Sequence, residues 1–299
     1  MNMKFIKILK PFVNKFPSLA RYYRYQRDLK ILNSEIKFRE SLGFYFNGLP
    51  SMEIGQFEME ETKIFETLLP HCDIFINVGA NTGYYVCKAL SKNKRTIAFE
   101  PNQLNVSILL KNIAANNFGE KFSLFPNALG EKGGVIRLYG DSTGASLIEG
   151  WNDQRTSTLV PILVFDDFAK QLIKAKRSLI VVDIEGSELS FLKGAKSLLE
   201  SETENIFLIE ICVCEHQPSG IKMNPNLLET FELMFNHQYN AYTANKKLRK
   251  VNLQEIKDIC ESGVNTLLTH NFIFIKSNLS LEDIDLSFKI FEKGNHNSR

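Results

Sequence analysis

The chain is poor in the features that mark membrane, secreted and nucleic-acid-binding proteins. In its 299 residues, no run reaches the ~18 consecutive apolar residues of a membrane-crossing helix. The segment from Met1 to Val13 is interrupted by Lys4, Lys7 and Lys10, so it lacks the unbroken apolar stretch of a secretory signal. Cysteine is scarce and odd in number, at five: Cys72, Cys87, Cys212, Cys214 and Cys260. They sit mostly inside apolar segments, which predicts reduced, buried thiols and a cytoplasmic location. Cys212-x-Cys214 has no second pair to complete a zinc site, so no metal is expected. Net charge is only +2, too small for a body that grips nucleic acid. Tryptophan occurs once, as Trp151. The dinucleotide signature G-x-G-x-x-G, whose second glycine makes room for a pyrophosphate, is missing.

What charge there is lies unevenly. Residues 1–40 carry ten Lys/Arg against three Asp/Glu, a net of +7, and the remainder is acidic at −5. Within the basic segment Phe5, Ile8, Leu9, Phe12, Val13 and Phe16 recur at helical spacing, interrupted by Pro11 and Pro17. The expectation is a basic amphipathic helical arm over 1–50. Its stripe suits either packing on the body or a second copy, or peripheral contact through residues 1–40 with the anionic inner face of a membrane. Hydrophobic content of 44% supports a sizeable core, placed at 51–292, followed by a disordered tail at 293–299.

From Asp73 onward strand and helix patterns alternate. Strands are expected at 73–78, 95–100, 121–128, 135–139, 159–164, 179–184, 206–212, 239–243 and 272–276. Helices are expected at 58–69, 83–91, 102–117, 166–174, 187–200 and 225–237. Such alternation implies an α/β fold: a doubly wound, mostly parallel sheet with helices on both faces and right-handed crossovers.

The densest signal is Asp73-Ile-Phe-Ile-Asn-Val-Gly-Ala-Asn-Thr-Gly83, an apolar strand entering a glycine turn and then a helix. This arrangement cradles nucleotide-like ligands, the small residues letting a ligand approach the backbone. A second strand ends in Glu100, 21 residues after Gly79, the separation at which an acidic side chain grips a ribose diol. With Ala80 and Asn81 where a dinucleotide site needs glycine, a ligand without a pyrophosphate fits better, and S-adenosylmethionine is such a ligand.

In a doubly wound sheet ligands sit beyond the carboxyl ends of the strands, and that rule selects the site. Strand one contributes Asn77, Val78, Gly79, Ala80 and Asn81, followed by Gly83 and Tyr84 at the helix start. Strand two contributes Glu100, Pro101 and Asn102; strand three, Asn127 and Ala128; strand four, Asp183 and Glu185. Asp183 follows the apolar run Leu179–Val182 and is expected to be partly buried, so it needs a partner or a task. The plainer role for both acids is to favour a helix N-terminus. His216, just beyond the fifth strand, is either an exposed loop residue or a base at the pocket mouth. Trp151 is either a structural anchor or a platform for a sugar ring. The candidate catalytic residues are therefore Asp183, Glu185 and His216.

Taken in order, Asn77-Val-Gly-Ala-Asn-Thr-Gly83, Phe99-Glu-Pro101, Asn127-Ala-Leu129, Gly144-Ala-Ser-Leu147, Val182-Asp-Ile-Glu-Gly186, Phe191-Leu-Lys-Gly-Ala195 and Ile209-Glu210 resemble the FkbM family of S-adenosylmethionine-dependent methyltransferases, from about Glu58 to Lys276. The resemblance implies the class I Rossmann-like fold. It also implies methyl transfer, most often to a hydroxyl of a sugar, glycan or secondary metabolite. Two departures stand out: Asn77 replaces the usual Asp, and Ala145 a frequent serine. N-methyl transfer, a silent cofactor-binding scaffold and, more remotely, an NAD-dependent oxidoreductase are the competing readings; the assembly admits a homo-oligomer.

Overall fold

The computed structural model describes residues 17–140, 144–151, 157–173 and 175–287. The apolar stripe of Phe5 to Phe16 and the tail at 293–299 lie outside these residues. Among the described residues no helix is long and apolar enough to cross a membrane.

An eight-stranded sheet forms the centre. Its strands are β3 (Ile74–Val78), β4 (Arg95–Phe99), β5 (Phe122–Phe125), β9 (Arg177–Val182), β10 (Glu204–Glu210), β11 (Tyr239–Thr243), β12 (Lys250–Val251) and β13 (Asn271–Lys276). They lie in the order β12-β11-β13-β10-β9-β3-β4-β5. The five from β5 to β10 are parallel, and β13 runs antiparallel to both β10 and β11. Their sequences are near-continuous apolar runs because both faces are covered. Ile74, Ile76, Val78, Ile180, Val182, Phe207 and Ile209 face one core; Phe75, Leu179, Val181, Ile206, Leu208 and Ile273 face the other. The first core is closed by helices α6 (Asp166–Leu172), α7 (Glu188–Lys193), α8 (Lys196–Glu200), α9 (Leu227–Asn236) and α10 (Leu253–Ser262). The second is closed by the short α2 (Pro50–Glu53) and by α3 (Met59–Leu68), α4 (Tyr84–Ser91) and α5 (Gln103–Ala115).

The expected single helix over 187–200 is two. The break falls at Gly194, where a Cβ would lie 2.1 Å from the Gly130 carbonyl oxygen, so neighbouring backbone occupies the space a continuous helix would need. The expected strand 121–128 also divides. After β5 the chain leaves the main sheet and forms β6 (Ala128–Leu129), which joins β7 (Gly134–Tyr139) and β8 (Ser157–Leu163) in a small sheet of order β6-β8-β7. Helix α10 was not foreseen.

The segment before residue 50 is not a free arm where it is described. Helix α1 (Pro17–Asn33) leads into a hairpin of β1 (Lys37–Arg39) and β2 (Phe44–Phe46), and Phe44 and Phe46 are buried in the second core. Two asparagines one turn apart, Asn112 in the last turn of α5 and Asn116 at its C-cap, latch the hairpin by imitating a neighbouring strand. Asn112 accepts from the Asn47 amide and donates to the Asn47 carbonyl, both at 2.9 Å. Asn116 does the same for Tyr45 at 2.9 and 2.7 Å. Asn112 also donates to the Thr82 carbonyl at 3.0 Å, tying the hairpin to the glycine turn.

Candidate active site

The parallel strand order reverses beside β3: the chain runs from β3 to β4 and β5 on one side, then returns to β9 on the other. Ligand crevices in open α/β sheets form at such a switch point, and here a cavity of about 330 Å³ opens there. Its wall takes Val78, Gly79 and Asn81 from the end of β3, Glu100 and Pro101 from β4, and Asn127 and Ala128 from beyond β5. Asp183 and Glu185 follow β9, Glu210 ends β10, and His216 lies in the loop after it.

The turn after β3 is small for a reason other than ligand approach. Gly79 has φ +87°, and a Cβ there would lie 1.8 Å from the Asp183 carbonyl oxygen. The glycine permits β3 and β9 to end side by side. The Gly79 and Ala80 amides both donate to the Phe99 carbonyl, at 3.0 and 2.9 Å, which ties the turn to β4 as well. Gly83 likewise packs against Leu109, whose Cδ1 would be 2.2 Å from an added Cβ, and does not line the cavity. Asn102 caps α5, accepting from the Leu104 and Asn105 amides. Tyr84 packs edge-on among Phe46, Phe57 and Tyr85. With Asn77 and Ala80 it lines only a smaller adjoining space of about 40 Å³.

Glu100 is 5% exposed and is held from three sides. The Asn81 amide donates to Oε2 at 2.7 Å, the Asn102 amide to Oε1 at 2.8 Å and the Asn105 side chain to Oε1 at 3.3 Å. Burial raises its pKa, and these donors counter the rise. Two carboxylate oxygens offer about four acceptor positions, so Glu100 keeps capacity for a hydroxyl in the cavity. We expect Glu100→Ala to weaken S-adenosylhomocysteine binding at least tenfold, since each bond to a charged acceptor contributes about 1.5–3 kcal/mol. It also leaves the buried Asn102 amide and the part-buried Asn81 amide without their acceptor, so melting temperature must fall with it. Calorimetry on the folded variant checks this; unchanged affinity removes Glu100 from the site.

The cavity floor is acidic. Glu58, Asp183 and Glu210 bring their carboxyl oxygens within 4.8 Å of one another. Burial is the largest cause of their raised pKa values: Glu58 rises to about 7, Glu210 to about 8, and Asp183 well above the usual range, with repulsion from nearby carboxylates, Glu185 among them, adding to each. The Tyr85 hydroxyl donates to Glu58 at 2.9 Å and partly offsets its rise. The folded chain therefore holds protons that the unfolded chain releases, from about pH 4.5 up to about pH 8. Stability must fall as pH climbs through that window. The ligand-free protein should melt at a higher temperature at pH 6 than at pH 8.5, with Glu210→Gln narrowing the difference. An equal difference in the variant contradicts the assignment.

At the mouth, Glu185 has φ +53°, a left-handed conformation that a non-glycine residue adopts only under constraint. The indole Nε1 of Trp151 donates to its Oε2 at 2.8 Å, and Nδ1 of His216 lies 3.6 Å from the same oxygen. The Ser146 hydroxyl donates to the Glu185 carbonyl at 2.6 Å. Trp151 is 1% exposed and lies against Gly186, where a Cβ would be 2.6 Å from the ring. It is an anchor, not a platform for a sugar. Glu210 was located by sequence as the end of the fifth strand but given no task. Two other wall residues had no role from sequence. His270 lies just before β13 in a stretch without a motif. Glu58 starts α3 and is delivered only by the packing of that helix.

The wall suits a cationic ligand. Among the described residues lining the cavity there is no Lys or Arg, but there are five carboxyl groups: Glu58, Glu100, Asp183, Glu185 and Glu210. A pyrophosphate would find no Lys or Arg among these residues to pair with. The ammonium and sulfonium of S-adenosylmethionine match the acids near Asp183, and its ribose matches the spare capacity of Glu100.

The methyltransferase FkbM domain model matches residues 77–241. No curated protein matches the sequence. Among solved structures, the chain is similar to the O-methyltransferase from Bacillus cereus in complex with SAH, at 11% identity and TM-score 0.42, covering 88% of this chain and 98% of that one. It is also similar to precorrin-6y C5,15-methyltransferase from Geobacter metallireducens GS-15, at 13% identity and TM-score 0.38, covering 80% and 96%. With the family domain spanning more than half of the chain, the protein belongs to the FkbM methyltransferases and takes S-adenosylmethionine as its methyl donor.

Proposed function

We propose that this methyltransferase acts on a hydroxyl of a sugar, glycan or similar metabolite, with Glu185 and His216 receiving the hydroxyl proton. The observation that carries the reading is the pair itself. A carboxylate and an imidazole meet 3.6 Å apart at the mouth of the donor cavity, with His216 44% exposed at its side chain and within reach of an incoming acceptor. When bound, S-adenosylmethionine would supply a methyl on a sulfonium, the bond to sulfur breaking as the acceptor oxygen takes the methyl and a neutral thioether being left. The protein's part is to bind, to align and to accept the proton. Glu100 and Asn81 anchor the nucleoside end, Asp183 and Glu210 face the cationic end, and His216 with Glu185 takes the proton from the oxygen.

The acidic wall also bears on the acceptor atom. An amine held among these carboxyls is stabilised as an ammonium, which has no lone pair for attack. A hydroxyl keeps its lone pairs. The absence of Lys and Arg from the described wall further argues against an anionic group beside the reacting atom. The test is a panel of neutral sugars, polyols and matched amines incubated with methyl-labelled donor. Label recovered as a methyl ether supports the reading. Label only on nitrogen, or tight S-adenosylhomocysteine binding with no transfer to any hydroxyl, overturns it.

A further inference from the structure

We propose that Trp151 is a positioning residue: its indole N–H holds the Glu185 carboxylate toward His216, while Ser146 holds the Glu185 backbone. The inference rests on the proton-accepting role of that pair. It explains why the small sheet interrupts the alternation between β5 and β9. That insertion carries Gly144–Trp151 across the β9 exit, and a two-way backbone pairing of Tyr139 with Ser146, at 2.7 and 2.9 Å, fixes the crossing segment to β7. Ser146 is buried; besides donating to the Glu185 carbonyl it accepts from the Ile148 amide at 3.0 Å. Trp151 fills the space that the missing side chain of Gly186 leaves, and its ring meets the His216 imidazole edge-on with centroids 6.2 Å apart. Backbone, carboxylate and imidazole are thus gripped by one short segment.

The grip has a task because Glu185 sits among other carboxyl groups. Its charge bears on Glu58, Asp183, Glu188 and Glu210, and on the Cys212 thiol. The facing groups able to carry positive charge are His216 and, on the far wall, His270. Left free, a carboxylate so placed turns toward solvent, and the left-handed backbone at Glu185 relaxes with it. The indole N–H supplies a directed donor to an ionised acceptor, the stronger kind of hydrogen bond, and it does so without introducing a charge that would oppose the donor's sulfonium.

The chain's single tryptophan makes the contact readable without an acceptor. In an ¹H–¹⁵N spectrum one indole N–H resonance is present, and Glu185→Gln should shift it by weakening the charge-assisted bond; an unmoved resonance overturns the contact. The His216 ring resonances, assigned with His216→Ala, are then compared at one pH in wild type, Trp151→Phe, Glu185→Gln and the double variant. Phenylalanine keeps an aromatic ring in this segment while it removes the donor and some of the indole's volume, and the double variant separates the two losses. The expected result is that Trp151→Phe moves the His216 resonances toward their Glu185→Gln positions and has no further effect in the Glu185→Gln background. Equal displacement in both backgrounds reports only an altered ring and overturns the proposal. So does no displacement in either, since Glu185 is then held without Trp151. If Glu185→Gln itself leaves the His216 resonances in place, the pair fails as a proton acceptor, whatever the indole shows. Turnover follows the same cycle with any sugar methylated in the panel. Trp151→Phe should lose roughly tenfold or more in kcat, with S-adenosylhomocysteine affinity within about twofold of wild type, and should lose nothing further beside Glu185→Gln.

Discussion

Glu185→Gln is expected to lower turnover by roughly 10²–10⁴, the usual contribution of a placed proton acceptor, and to leave cofactor binding largely intact. The size of the side chain is kept, so the packing of Trp151 and Gly186 survives. What is lost is the charge that pairs with His216 across 3.6 Å. Asp183→Asn is the informative companion. Burial holds Asp183 well above the usual carboxylate range, which favours its neutral form in the free protein and sets it apart from an ionised base. Its replacement should act mainly on donor affinity and only weakly on the proton-transfer step. Kinetics with a methylated sugar, read beside calorimetry with S-adenosylhomocysteine, separate the two. Near-normal turnover for Glu185→Gln together with a severe loss for Asp183→Asn would exchange the roles of the two carboxyl groups.

Gly79→Ala should be the most damaging added methyl among the described glycines. Its Cβ would fall 1.8 Å from the Asp183 oxygen and 2.8 Å from that carbonyl carbon. Both are backbone atoms of a neighbouring central strand exit, so no side chain can turn aside. Forced overpacking costs about 1–3 kcal/mol, and a left-handed conformation outside glycine adds about 1–2. Gly263→Ala isolates the second of these effects, since Gly263 also has positive φ, at +72°, with nothing within 4 Å of its Cβ position. Urea denaturation should show Gly263→Ala losing about 1–2 kcal/mol and Gly79→Ala several, with S-adenosylhomocysteine binding abolished in the latter. Equal losses would mean that β3 and β9 do not close on each other at this turn.

The same glycine shows how far the sequence could be read. Its place after an apolar strand identified the turn, and 21 residues on, Glu100 identified the ribose end. The reason for the glycine was misread. It serves strand-to-strand contact with Asp183, a residue more than a hundred positions away, and no local pattern reports such a neighbour. Asp183 and Glu185 were legible because carboxylates after an apolar strand are costly unless they have work to do. Trp151 was left undecided between anchor and platform, since an indole fits either until its surroundings are known. The hairpin at Phe44–Phe46 was invisible as core because two asparagines at the C-terminal end of α5, Asn112 and the capping Asn116, supply the hydrogen bonds that hold it.

By itself the sequence determined the alternation of strand and helix, the parallel sheet and the strand ends at which a donor site must form. These follow from apolar periodicity and from turn and capping residues, whose physics is local. Only the tertiary structure decided that Glu58 joins Asp183 and Glu210, that the insertion clamps Glu185 through Trp151 and Ser146, and that no Lys or Arg among the described residues reaches the cavity wall. Each of these is a meeting of side chains from distant elements. Where such groups come to rest depends on how helices and loops pack on the sheet, and so do their burial and charge state.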